Sequence, residues 1–161
     1  MQAMFPFARL LIAGACAMSL PVALAPTVAQ AAPHATIAQT QALLDKAVAE
    51  LKAEGPGKAF AAFNDANGAY KTRELYVFVF DAKGVYEASG ANPRLVGTNA
   101  IDMTDAEGKP LVREMIAVAQ RKGQGRVDYI WLNRADNRVE HKRSLVQQVG
   151  DHIVGVGYYA G

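Results

Sequence analysis

Residues 125–133 read GRVDYIWLN, residues 139–149 read VEHKRSLVQQV and residues 152–160 read HIVGVGYYA. Each run is rich in β-branched and aromatic residues. Two breaks made of turn formers, Arg134-Ala135-Asp136-Asn137 and Gly150-Asp151, separate them. Strands joined by connections this short pair antiparallel. Side chains alternate along a strand, so Val127, Tyr129 and Trp131 share one face of the first run, while Lys142 and Ser144 share a face of the second. The only Trp of the chain thus lies beside a Tyr, next to a strand carrying a lysine. An aromatic wall with a nearby cation suits a pocket for a small anion. The same pattern also describes an ordinary sheet whose lysine extends to solvent.

Upstream, Glu74-Leu75-Tyr76-Val77-Phe78-Val79-Phe80 is a nearly continuous apolar run, as expected of a strand covered on both faces. Asp81-Ala82-Lys83-Gly84 is a tight turn, and Val85–Ser89 is the return strand. Asn92-Pro93 breaks it, and a long connection runs to Gly108, a length typical of binding loops. Its acids Asp102, Asp105 and Glu107 do not have the spacing of a calcium-binding helix-loop-helix. Pro110 fits the first turn of a helix whose buried side is Leu111, Met115 and Val118 or Ala119, with Arg121-Lys122 and Gly123 closing it. Further upstream, Thr36 and Gln39 have the spacing of a capping box ahead of a stripe of Ile37, Leu44, Ala47, Val48 and Leu51. Gly55-Pro56-Gly57 is expected to stop that helix, and Ala59, Phe60 and Phe63 mark a second, shorter one. The element order predicts a single α+β domain of PAS-like type, a five-stranded antiparallel sheet with its helices on one face. Gly155 and Gly157 share a strand face and are expected to let a helix approach closely.

The N-terminus reads as an export leader. Arg9 is the only charged side chain before Asp45, Leu10 to Ala25 is apolar, and Ala29-Gln30-Ala31 is a small-x-small cleavage pattern. Cleavage there leaves residues 32–161 as one domain in the periplasm or outside the cell. A retained signal anchor is the rival, opposed by Pro21 and Pro26. The single Cys, Cys16, lies in the leader, so the remaining chain has no disulfide, thiolate metal site or thiol nucleophile. A formal charge of +2, without a basic block, gives no reason to expect nucleic acid as a partner.

The run from Phe78 to Tyr159 resembles the small single Cache domains of bacteria. The resemblance is carried by Asn92-Pro93-Arg94-Leu95-Val96-Gly97, by Asp105 to Met115 with Gly108-Lys109-Pro110 inside it, by Val127-Asp128-Tyr129 with Trp131, and by Gly155-Val156-Gly157. It implies a PAS-like sensory fold of the kind found outside the cytoplasm in chemoreceptors and sensor kinases, here in a stand-alone form. It also implies a pocket for small organic acids, amino acids or related metabolites, with no cofactor. Tyr129, Trp131, Lys142, Ser144 and Tyr159 match positions able to line that pocket. Ser89, Arg126 and Leu145 stand where relatives often carry His, Trp and Tyr.

Catalysis finds no support. His141 and Ser144 are three apart on a strand and point to opposite faces, so they cannot form a nucleophile–base pair with Asp151. His141, Asp151 and His152 lack a recognised metal-ligand spacing. The expectation is therefore a periplasmic domain that binds a small ligand, a carboxylate for instance, and acts with a membrane chemoreceptor or sensor kinase. Homodimerisation through the first helix is a further option. The alternative is an interaction or structural module without a small-molecule ligand.

Overall fold

The computed structural model describes residues 34–160; the leader expected at residues 1–31 lies outside the described residues. Thr36 caps α1 (Ile37–Asn64). Its side chain accepts from Gln39 N at 3.2 Å, and Gln39 Oε1 accepts from Thr36 N at 2.8 Å, the reciprocal pair the spacing predicts. The Gly55-Pro56-Gly57 break interrupts the helix as expected and divides α1 into two helical segments at a kink. Gly55 adopts φ 75°, which an L residue rarely does, and the chain re-enters helix through Pro56.

Strands β1 (Val77–Asp81) and β2 (Tyr86–Ser89) form a hairpin closed by Asp81, whose carboxylate accepts from Lys83 N and Val85 N at 2.8 Å each. A 3₁₀ turn at Pro93–Leu95 opens the long connection to α2 (Leu111–Lys122), which ends at Gly123 with φ 75°. Strands β3 (Gln124–Asn133), β4 (Arg138–Val149) and β5 (His152–Tyr159) complete an antiparallel sheet of order β2-β1-β5-β4-β3. This is the expected α+β architecture.

The helices do not share a face of the sheet. α1 packs Leu44, Ala47, Val48 and Leu51 against Val77, Val79, Leu145, Val154 and Val156. α2 packs Leu111, Val112, Met115, Ile116 and Ala119 against the alternate residues Phe78, Phe80, Val127, Tyr129, Val146 and Ile153. Two-sided burial is the reason β1 is apolar at consecutive positions. The apolar stripe of α1 is thereby used on the sheet, Ile37 excepted at 52 % exposure.

The role expected of Gly155 and Gly157 is also different. A Cβ at Gly155 would lie 2.2 Å from the Phe78 ring, and one at Gly157 would lie 2.6 Å from Lys142 Cε and Ser144 Oγ. The glycines make room for neighbouring side chains within the sheet, not for a helix.

The connection before α2 is tied to β3 by Asp105. Its Oδ1 accepts from Glu107 N and Lys109 N at 2.9 Å each, and its Oδ2 accepts from Ile130 N at 3.0 Å. Lys109 Nζ donates to Asp128 O on the same strand. Asp102 pairs with Arg113. Asp105 and Asp102 are thus occupied by backbone amides and an arginine, and among the described residues no cluster could hold a metal ion.

Candidate functional site

A cavity of about 60 Å³ lies between the α2 face of the sheet and the long connection. Strand parity builds its floor: Tyr76, Phe78 and Phe80 along and just before β1, Tyr86 opposite Phe80 across the hairpin, and Tyr129 with Trp131 on β3. Ser89 at the end of β2, Asn92, Leu95 and Met103 from the connection, and Leu111 and Met115 from α2 complete the lining. The rings interlock, with centroids 4.5 Å apart for Phe80–Tyr86 and 6.1 Å for the edge-on Tyr129–Trp131 pair. Arg134, exposed in the β3–β4 turn, stands at the cavity as its single lining cation.

Of the residues singled out from the sequence, Tyr129 and Trp131 line this cavity. Lys142, Ser144 and Tyr159 do not; they form a hydrogen-bonded layer behind it. Lys142 is 0 % exposed. Its Nζ donates to Tyr76 Oη at 2.7 Å and to Tyr159 Oη at 3.3 Å, and sits 4.3 and 4.5 Å from the two ring centroids. Tyr159 Oη in turn donates to Leu132 O at 2.7 Å, and Tyr129 Oη and Ser144 Oγ share a hydrogen bond of 2.8 Å. Lys142 occupies Tyr76 Oη as an acceptor, and among the described residues that hydroxyl has no acceptor for its own hydrogen. The Tyr76 O–H is therefore a donor available to the cavity.

Burial sets the electrostatics. It pushes the Tyr76 phenol up to about 12 and the Tyr129 phenol well above its ordinary value, so both phenols are neutral at physiological pH. Burial likewise pulls the Lys142 amine down to about 7, against the favourable influence of Glu74. Asp105 moves the other way: the Ile130 and Lys109 amides hold its carboxyl below the ordinary range. The Ile130 amide lies between Tyr129 and Trp131 in sequence, so Asp105 fixes the strand segment that presents both rings.

Tyr76, Tyr86, Ser89 and Arg134 belong to the site without having been singled out as binding residues. Period-two alternation from Phe78 was a usable signal for Tyr76. For Arg134 the only sequence signal was a turn. Of the three departures from the family pattern, Ser89 reaches the cavity. Leu145 packs under α1, and Arg126 pairs with Asp128 at 3.3 Å on the surface. A wider, more open groove of about 620 Å³ lies between the start of α1 and residues 72–75; the buried Glu74 carboxylate on its lining is already taken up by His34 Nδ1 at 3.2 Å and Ala35 N at 2.9 Å.

An antiparallel sheet with a helix on each face and an aromatic cavity roofed by a long connection defines a PAS-like domain of Cache type. The match to the single Cache domain 2 family extends over residues 36–161, and the chain belongs to that family. Among solved structures it is similar to a methyl-accepting chemotaxis protein from Vibrio parahaemolyticus, with 19 % identity and a TM-score of 0.64, over 76 % of this chain and 86 % of that one. It is also similar to a Cache chemosensory domain described for its carboxylic acid recognition, with 24 % identity and a TM-score of 0.64, over 77 % and 92 % of the two chains. A periplasmic sensor domain of a chemotaxis protein matches with 25 % identity and a TM-score of 0.60, over 75 % and 88 %. No curated protein matches the sequence.

Proposed function

We propose that this protein is an exported, non-catalytic sensory domain whose cavity takes up a short-chain carboxylate and presents the result to a membrane signalling partner. The observation that carries the reading is that the Tyr76 O–H, which has no acceptor among the described residues, and the Arg134 guanidinium both border a cavity walled mainly by aromatic and aliphatic side chains. A carboxylate needs charge-assisted donors for its oxygens and apolar contact for its tail, and both are at hand. Size supports the same class. A cavity of about 60 Å³ is several times the roughly 10–15 Å³ that a single water requires, which suits a small ligand. Acetate and propionate are small ligands of this kind. The similar Cache domain described for its carboxylic acid recognition supports the ligand class, and the similar periplasmic sensor domain supports the sensory reading. Among the described residues no helix is long and apolar enough to cross a membrane.

The test is thermal unfolding of the purified protein with formate, acetate, propionate, hexanoate and the matching neutral amides. A ligand at about a hundred times its Kd adds roughly 2.7 kcal/mol of stability. The expected pattern is a shift with the short acids and little with hexanoate or the amides. If no short acid shifts the transition, the cavity is not a carboxylate site. The reading as an interaction module then gains, supported by the exposed pair Leu132 and Val139 facing each other across β3 and β4. For the leader, N-terminal sequencing of the exported protein should begin at Ala32.

A further inference from the structure

Lys142 is a fully buried amine for which no carboxylate among the described residues lies within ion-pairing distance. A buried ammonium without a counter-ion is costly, and here two phenol oxygens and two ring faces replace its water. The space for it is built in, because Gly157 on β5 lacks the Cβ that would collide with Lys142 Cε.

The charged and titratable groups around it come from every neighbouring element. Before β1, Tyr76 separates the amine from the cavity, and Glu74 favours the ammonium. In the β3–β4 turn Arg134 opposes it. On β5, Tyr159 places its ring 6.3 Å from the His34 ring, which is in turn 3.2 Å from Glu74 and 3.8 Å from Glu140 of β4. On β3, Tyr129 is held by Ser144 and makes no hydrogen bond to the amine. Burial outweighs Glu74, and the amine titrates near neutrality.

We propose that Lys142 selects anions for this cavity from behind its wall, acting through the Tyr76 hydroxyl, and that carboxylate entry draws a proton from solvent onto the Lys142 amine. This rests on the carboxylate reading of the cavity. By donating to Tyr76 Oη, Lys142 leaves the phenol hydrogen to point at the ligand, and the ammonium polarises that hydrogen bond more than the neutral amine does. An entering carboxylate supplies the missing negative charge, and a nearby opposite charge favours the protonated amine. Short carboxylates keep their charge between pH 6 and pH 8, so the ligand itself does not account for proton uptake in that window. A neutral amide of the same shape can accept the Tyr76 hydrogen but brings no negative charge to favour the ammonium.

Calorimetric titration with acetate tests this directly. At pH 7, comparison of phosphate and Tris buffers should show uptake of about half a proton per acetate, because an amine titrating near 7 is about half neutral. The affinity should fall about tenfold from pH 6 to pH 8. Lys142→Met should bind acetate more weakly, prefer it less over acetamide, and show no pH dependence across that range. Acetate binding by the wild-type protein with equal affinity at pH 6 and pH 8 and no proton uptake would overturn the proposal and leave the carboxylate reading standing. A pH profile that persists in Lys142→Met would also overturn it, placing the titrating group elsewhere. Failure of formate, acetate and propionate alike to bind at either pH would overturn both.

Discussion

Replacing Lys142 by methionine keeps an unbranched side chain of similar volume and removes a buried charge. The amine falls from 10.5 to about 7 on folding. Each pH unit between those values corresponds to about 1.4 kcal/mol, so folding the ammonium carries a penalty on the order of 5 kcal/mol. The sign follows from proton counts. Between pH 7 and 10.5 the unfolded chain binds more protons at this site than the folded one, so stability rises with pH through that window. Below pH 7 the penalty is present in full. Loss of the two tyrosine hydrogen bonds and ring contacts offsets part of the gain, and exchanges of buried charge for apolar side chains commonly stabilise by about 1–4 kcal/mol. Lys142→Met should therefore be more stable than wild type at pH 6 by about 1–4 kcal/mol, and the difference should shrink by about 2–3 kcal/mol at pH 9. Urea unfolding of both proteins at the two pH values measures it. A variant less stable than wild type at pH 6, or a difference independent of pH, would show that Lys142 is not a buried charge held against its own solvation. Coupled with weaker acetate binding, the expected result marks a residue retained for function at the expense of stability.

Arg134→Gln, at an exposed turn, should leave the unfolding transition within about 0.5 kcal/mol of wild type while weakening carboxylate binding about tenfold, as read by calorimetry. Asp105→Asn retains an acceptor for the loop amides but turns an amide group toward Ile130 N. It should lower the melting temperature at pH 7 and red-shift the emission of Trp131, the only Trp of the chain. Because the Asp105 carboxyl is held below its ordinary range, its contribution to wild-type stability is present above that range and is lost as pH falls through the lowered value. The acid limb of the wild-type stability profile should accordingly be shallower in the variant. Gly155→Ala places a methyl group against the Phe78 ring and should destabilise by about 1–3 kcal/mol or more in denaturant titration, without altering the pH dependence of acetate binding.

Local patterns carried much of this structure. The capping box at Thr36 and Gln39, the stop at Gly123 and all five strands follow from spacing and turn chemistry, and they appear within a few residues of where they are expected. The placement of the helices did not follow, because a connection does not say which face of a sheet its helix will cover. The clue lay in β1, where both Val77/Val79 and Phe78/Phe80 are buried and so require a cover on each side. The site divided in the same way. Parity put Tyr129 with Trp131 and Lys142 with Ser144, but parity within a strand sets side and not depth. What places Lys142 behind the wall is Tyr76, 66 residues away, together with the missing side chain at Gly157. Arg134 was hidden because a charged residue in a turn has, locally, nothing to distinguish it from solvent-facing punctuation.

The ties between Asp105, Lys109 and β3 have a consequence beyond the cavity. At 10 residues, β3 is a long strand with no partner on its outer side, and an unpaired row of amides and carbonyls invites another chain to add a strand. The Asp105 carboxylate occupies the Ile130 amide and the Lys109 ammonium occupies the Asp128 carbonyl, both midway along that edge. The loop that roofs the cavity thus also blunts the strand against intermolecular pairing. Substitutions in it made to retune binding would carry a risk of self-association, and a ligand that loosened it would expose a template for fibre-like assembly.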